Sequence, residues 1–323
     1  MTHSEVHDEL RSVASDLLSK DDIDVDWPLL TQAGWIGLEA PEEFGGAGVT
    51  FAEVAIILEE MGRAATRSAY LGGAVLAVGV LNALQRSDTR DQLLRDTASG
   101  SVRVAVAVEA LEFVPDAEGA DRLLVVTTDP DGTPVVVNTA GLTVTPQPVV
   151  DETRRLAAVS ADGLEVAEVL RFDGDPAEQV RRLHDRAAVA VACDSLGVAE
   201  AMLTATVDYA KVRQQFGRPI GSFQAVKHAC ADMLVQVSVA RRLVDAAVEA
   251  LADGGDARTA ASMAKSYAGA VAVDVAGKAM QLHGGIGYTW ESGIHVYLKR
   301  ALLNRALFGS PAEHRRQLAK RYS

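Results

Sequence analysis

The chain has 323 residues, of which 48% are hydrophobic and 23% charged, the make-up of an ordinary globular protein of two or three domains. Its formal net charge of −13 argues against nucleic acid and anionic membrane as partners, because both repel an acidic surface. A local basic cluster that holds a phosphate-bearing ligand stays open.

Met1–Glu5 is polar and acidic, with no apolar leader behind it. The longest apolar stretch, Leu71–Leu84, is interrupted by glycine and asparagine and is too short to cross a bilayer. Cys193 and Cys230 lack C-x-x-C spacing and read as free thiols of a reducing compartment, with no metal site. The expectation is a cytoplasmic protein that meets no membrane.

Residues 1–100 read as a helical domain. Glu5–Leu18 and Phe51–Met61 carry apolar residues at three- and four-residue spacing. The glycine- and proline-rich "GWIGLEAPEEFGGAGVT" lies between them, and Thr50 with Glu53 forms a capping-box pattern. Residues 101–175 change character. "VRVAVAV", "RLLVVTT", "TPVVVN", "LTVTP" and "VLRF" are short β-branched runs parted by turn residues, which predicts a small β domain. Residues 176–323 return to long alanine-rich helices: Ala177–Val212, Phe223–Asp253, Ala257–His283, Ser292–Leu307 and Pro311–Arg321. Short breaks between long helices predict an antiparallel bundle.

Two breaks in that bundle carry candidate chemistry. In "VRQQFGRPIGSFQAVKH" the guanidinium of Arg213 suits a phosphate and Phe216 suits a purine face. The bland alternative is a solvated loop. In "QLHGGIGYTWE", Gly284 and Gly285 free backbone N–H groups for a pyrophosphate, and Gln281 adds an amide donor; the bland alternative is a helix cap. No strand precedes these glycines, so a Rossmann fingerprint is disfavoured. His283 reads as a hydrogen-bonding loop residue. Trp27, Trp35 and Trp290 read as packing residues, and Glu313–Lys320 as a solvated face. A third break, Leu307-Phe308-Gly309-Ser310, stops a helix that restarts at Pro311.

The two loops together resemble hallmarks of the acyl-CoA dehydrogenase family, "R-x-x-F-G-x-x-I…F-Q" and "Q-x-x-G-G-x-G-Y", in that order. "GWIGLEAPEEFGGAGVTFAEVAIILEEMGR" is similar to a third segment of that family. The resemblance implies an α+β, mostly helical fold: an N-terminal helical domain, a small and reduced β domain, and a C-terminal antiparallel bundle. It also implies FAD as cofactor, an acyl-CoA thioester as substrate, and α,β-desaturation. In that reaction a carboxylate takes the α proton and the flavin accepts a hydride. Arg213, Gln215, Phe216, Gln281, Gly284 and Gly285 are the implied cofactor-binding residues.

Three departures qualify the likeness. The family's "T-E-P-x-A-G-S-D"-like segment has no clear counterpart in Val104–Asp121, where Glu109 and Glu118–Asp121 are faint echoes. Phe308 stands where many members carry the catalytic glutamate, and Lys299-Arg300 replaces a nearby Arg-Asp pair. The other base position known in the family aligns with Ala252, leaving Asp253 or Glu249 as weak candidates. The chain thus keeps the loops that hold the ADP half of a neighbour's flavin and lacks its own base. That pattern resembles the short subunits of actinobacterial α2β2 steroid-CoA dehydrogenases, whose longer partner supplies the glutamate. A self-sufficient homo-oligomer using Asp253 or Glu249, and a non-enzymatic scaffold, are the alternatives.

Overall fold

The structure is a computed structural model that describes residues 3–18, 24–108 and 110–320. The expected Arg321 end of the last helix and Glu109 lie outside those residues.

The N-terminal domain comprises α1 (His3–Leu18), α2 (Trp27–Gln32), α3 (Phe51–Arg63), α4 (Ala77–Asn82) and α5 (Asp88–Ala98), with a π-turn at Leu71–Leu76 leading into α4. The capping box at α3 is present: Thr50 Oγ1 accepts from Ala52 N, and Glu53 Oε2 accepts from Thr50 N at 3.0 Å. The apolar run at residues 71–84 is a buried helical segment of this domain, continuous from Leu71 to Asn82, with Leu76, Val80 and Leu81 in its core.

The middle region folds into two small sheets. One has the order β1 (Val104–Ala107), β3 (Arg122–Thr128), β4 (Pro134–Ala140), β7 (Glu165–Arg171); only the β1–β3 pair is parallel. The other joins β2 (Val114–Pro115), β6 (Leu156–Val159) and β5 (Val144–Gln147) in antiparallel register. β1 is buried on both faces: Ala105 and Ala107 pack on the second sheet with Leu123, and Val104 and Val106 pack on the helical domain. Its continuous apolar run follows from that double burial. β2 and β6 are too short and too weakly β-branched to stand out in the sequence.

The C-terminal bundle consists of α6 (Pro176–Val212), the β8–β9 hairpin (Gln214–Gln215, Arg218–Pro219), α7 (Gln224–Ala252), α8 (Arg258–Leu282), α9 (Ile294–Ala306) and α10 (Pro311–Ala319). By length and composition α6 could cross a bilayer, but it is the central helix of the bundle and 78% of its most apolar window is buried. α3 crosses it at two glycines. A Cβ on Gly62 would stand 2.0 Å from Asp194 O, and one on Gly197 2.0 Å from Glu59 O. Only glycine allows backbones so close.

A buried ionic hub ties the three parts together. Arg300 on α9 donates to both carboxylate oxygens of Asp194 on α6, at 2.9 and 2.5 Å. It also donates to Thr66 O of the helical domain (2.8 Å) and Thr153 Oγ1 of the β region (2.7 Å). Asn304 and Arg154 complete the shell of Asp194 at 2.6 and 2.9 Å. Burial opposes the charge of Asp194, and the two guanidinium groups and Asn304 overcome it, holding the carboxyl at about 2. The Arg300 that replaces a family pair is therefore structural.

Candidate functional site

A cleft of about 1620 Å³ opens between the β region and the bundle. Phe308, in the turn between α9 and α10, lines it. The turn is over-determined. Phe308 and Gly309 have φ of 53° and 96°, a left-handed pair that a bulky aromatic residue adopts only under restraint. Each carbonyl here has a donor. Lys265 Nζ donates to Gly309 O (2.7 Å) and Arg305 O (3.3 Å), and His314 Nε2 donates to Phe308 O at 2.9 Å. A Cβ on Gly309 would meet His314 Nε2 at 2.7 Å. Burial pushes the Lys265 ammonium down to about 8 and lowers His314 as well. Ser310 then restarts the chain as a helix through a capping box with Glu313: Glu313 Oε2 accepts from Ser310 N at 2.6 Å and Ser310 Oγ from Glu313 N at 3.3 Å.

Phe308 is half-buried and packs against both major cores. It is at once a packing residue and a wall of the cleft. One neighbour departs from expectation. His314 belongs to a run read as solvated, yet it is buried, because its imidazole is needed under the turn. Asp253, Glu249 and Ala252 do not line the cleft. Asp253 caps the C-terminus of α7 and is exposed, as is Glu249 one turn earlier, so an acid there stands outside this cavity.

The two loop motifs lie at the far end of α6 and α8, and the fold brings them together. Tyr209, one turn before Arg213, stacks on His283 with ring centroids 4.2 Å apart and donates to His283 O at 3.3 Å. His283 also bonds Ala279 O through Nδ1 (2.8 Å), so it serves as the predicted loop residue. Val212 ends α6 and Arg213 caps it. Phe216 and Gly217, at φ 52° and 77°, form the two-residue tip of the β8–β9 hairpin, as the right-handed twist of the strands requires. Phe216 is 91% exposed. Arg213, Gln215, Gln281, Gly284 and Gly285 are exposed too. Among the described residues the Arg213 side chain has no ion-pair or hydrogen-bond partner. A Cβ at Gly284 or Gly285 would meet nothing within 4 Å. The Arg213 segment is a short hairpin rather than a plain solvated loop, and the surface the two loops leave is an open backbone ledge beside a free cation. Those features fit an anionic, aromatic group such as the ADP half of FAD.

Trp290 departs from its expected packing role. It is 74% exposed, with only His295 edge-on at 4.5 Å and Lys299 over its face at 5.4 Å. Val212, Phe216, Ile286, Tyr288 and Trp290 give this end of the bundle large exposed apolar side chains.

The acyl-CoA dehydrogenase N-terminal domain matches residues 1–101, and the acyl-CoA dehydrogenase C-terminal domain matches residues 179–323. The acyl-CoA dehydrogenase IpdE2 of Mycolicibacterium smegmatis is 36% identical over 293 residues, covering 90% of this chain and 86% of that protein. The chain belongs to the acyl-CoA dehydrogenase family. Acyl-CoA dehydrogenase FadE34 of Mycobacterium tuberculosis is 34% identical over 290 residues, 84% of this chain and 38% of that longer protein. Among solved structures, a variant of the Tcur3481–Tcur3483 steroid ACAD aligns with a TM-score of 0.86 at 28% identity, covering 99% of this chain and 98% of that one. The ChsE4–ChsE5 complex of Mycobacterium tuberculosis aligns over 99% of this chain and 98% of that one, with a TM-score of 0.88 at 23% identity, which shows the shared fold. Members of the family are FAD-dependent flavoproteins.

Proposed function

We propose that this chain is one subunit of a heteromeric, FAD-dependent acyl-CoA dehydrogenase, and that a longer partner subunit supplies the catalytic carboxylate. The observation that carries the reading is Phe308. A phenyl ring, which takes no proton, is held on the cleft wall by Lys265, His314 and a left-handed backbone, while the loops at the other end of the bundle stay open.

The division of labour follows from those residues. Arg213 neutralises a pyrophosphate, Gly284 and Gly285 let it approach the backbone, Gln281 and Gln215 offer amide donors, and Phe216 covers the adenine. Bound FAD supplies the hydride acceptor of the desaturation. The exposed apolar side chains around Phe216 and Trp290 would be covered by the subunit whose flavin these loops complete. An α2β2 heterotetramer with one FAD per heterodimer is the expected assembly, in the cytoplasm. The Tcur3481–Tcur3483 steroid ACAD and the ChsE4–ChsE5 complex are supporting relatives. The likeness to the Tcur3481–Tcur3483 steroid ACAD favours a CoA thioester of a bulky, steroid-derived acid as the substrate.

Co-expression with a longer dehydrogenase subunit from the same genome tests the reading. The expected result is a stable complex with a flavin absorbance spectrum, about one FAD per heterodimer, and turnover lost when the partner's glutamate is replaced. A flavin-loaded, fully active homo-oligomer of this chain alone refutes it. In the assembled complex, Arg213→Ala should weaken FAD retention; unchanged retention favours the scaffold reading.

A further inference from the structure

Each loop of the ledge is built into the end of its own helix. The β8–β9 hairpin leaves α6 at Arg213, whose backbone N donates to Tyr209 O at 2.9 Å, and Ile220 N closes the hairpin on Arg213 O at 2.8 Å. The chain after β9 lies tight on α6: a Cβ on Gly221 would stand 2.9 Å from Ala210 O. The second loop leaves α8 at His283, whose backbone N donates to Ala279 O at 3.0 Å. A Cβ on Gly287 would stand 2.4 Å from Met280 O. Among the described residues, one side chain makes the direct tie between these two loops.

That side chain is Tyr209, in the last turn of α6. Its ring stacks on the His283 imidazole, centroids 4.2 Å and planes 21° apart, and its hydroxyl donates to His283 O at 3.3 Å. His283 is held in turn, with Nδ1 2.8 Å from Ala279 O. A carbonyl only accepts, so Nδ1 carries the proton and the imidazole is fixed on the end of α8. Tyr209 therefore reaches both loops. Its carbonyl receives the N–H of Arg213, and its side chain holds the residue before Gly284. Core packing does not account for it. Tyr209 is half-buried, and among the described residues the three hydrophobic cores do not include it.

The chemistry of the ledge needs such a tie. A diphosphate that pairs with the Arg213 guanidinium and also meets the N–H groups of Gly284 and Gly285 touches both loops. Recognition at two points depends on spacing. Donors already held in place need no ordering when the anion arrives, whereas donors that must be brought together do. A leucine at 209 would supply apolar contact. A ring stacked on an imidazole and a hydroxyl on a backbone carbonyl fix direction as well.

We infer that Tyr209 is the positioning residue of the ledge: through its stack on His283 it sets the spacing of Arg213 and the Gly284–Gly285 turn at which one diphosphate meets both. The inference rests on the reading of these loops as holders of the ADP half of FAD. Tyr209 acts through its neighbours and touches no reacting atom.

The test uses the assembled heteromer, stripped of flavin and titrated with FAD, and the full-length chain by itself. Tyr209→Leu, which removes ring and hydroxyl, should weaken FAD about tenfold or more with assembly unchanged, and Tyr209→Phe, which keeps the stack, should lie between it and the parent. Arg213→Ala should weaken FAD as well. Adding Tyr209→Leu to Arg213→Ala should cost less than about threefold more, because a residue that acts through Arg213 then has little left to position. In the chain alone, Tyr209→Leu should quicken hydrogen exchange at residues 214–219 and 284–288 together. Should Tyr209→Leu fail to assemble, His283→Ala removes the other half of the stack and carries the same expectations. FAD affinity within about twofold of the parent for the stack-deleting variant, while Arg213→Ala loses it, would overturn the inference and leave the heteromeric reading standing. Fully additive losses in the double variant, or unchanged exchange at both loops, would overturn it too. If Arg213→Ala also leaves FAD affinity unchanged, the loops do not hold the flavin, and the inference falls with the reading beneath it.

Discussion

Replacing Arg300 by methionine should be the most damaging single change outside the glycine crossing. The guanidinium is 2% exposed and makes four hydrogen bonds, two to Asp194, one to Thr66 O and one to Thr153 Oγ1. Its removal strands a buried carboxylate, for which the cost is about 3–5 kcal/mol. The depressed carboxyl gives an independent figure. Asp194 sits near 2 against an ordinary 3.8, a depression that corresponds to about 2–3 kcal/mol. Arg154 and Asn304 provide part of that figure, so it is of the same order as the first estimate rather than additional to it. In a chain of this size each kcal/mol moves Tm by about 2 °C, so Arg300→Met should lower Tm by about 6–10 °C in scanning calorimetry. The loss should concern the joints between the three parts, with far-UV circular dichroism at 20 °C near that of the parent. Adding Asp194→Leu to Arg300→Met should recover only part of the loss, because it removes the stranded carboxylate but leaves Arg154, 2.9 Å from it, without its partner. A Tm within 2 °C of the parent for Arg300→Met would show that the hub is not a structural clamp.

The same group gives a pH prediction. The folded pKa of Asp194 is depressed, so its stabilisation is fully present above pH 3.8 and is lost as pH falls toward 2; acid titration of Asp194→Asn should lack that step. Lys265 has the opposite sign. Its folded pKa is lowered from 10.5 to about 8, so burying the ammonium destabilises below pH 8, and the penalty of about 3 kcal/mol disappears between pH 8 and 10.5. Urea unfolding at pH 7.5 and 10 should show the parent gaining on Lys265→Met over that interval; parallel curves would count against it. Gly62→Ala should cost about 3 kcal/mol or more, because its Cβ would lie 2.0 Å from Asp194 O on the crossing helix; a midpoint matching the parent in urea would refute the close crossing. Ser310→Ala removes one half of a capping box and should cost about 1 kcal/mol, read by the same titration.

The helices of the bundle were legible in the sequence to within a residue or two at most ends, because each carries a long apolar face and stops at a glycine, a proline or a capping residue. The capping box at Thr50 was visible for the same reason: it is local, three residues wide, and needs no distant partner. The two cofactor-type loops were legible as motifs. Their proximity was not, since Tyr209 and His283 stack across seventy-four positions of chain. Asp253 and Glu249 looked plausible by register, but register along one helix does not say which cavity a residue faces. Tyr209, with no motif of its own, was missed because what distinguishes it, the stack on His283, exists only once α6 and α8 have packed together.

By itself, then, the sequence determined the order of helical, β and helical parts, the cap at Thr50, and the late turn that holds Phe308. These follow from local periodicity and backbone preference. The tertiary structure alone decided that Arg300 and Asp194 clamp three regions, that His314 and Lys265 hold the Phe308 turn, and that Tyr209 ties the two loops of the ledge together. Those are properties of burial and of pairs far apart in the chain. Burial converts an ordinary charged side chain into a costly one, so its role is set by what the fold places beside it.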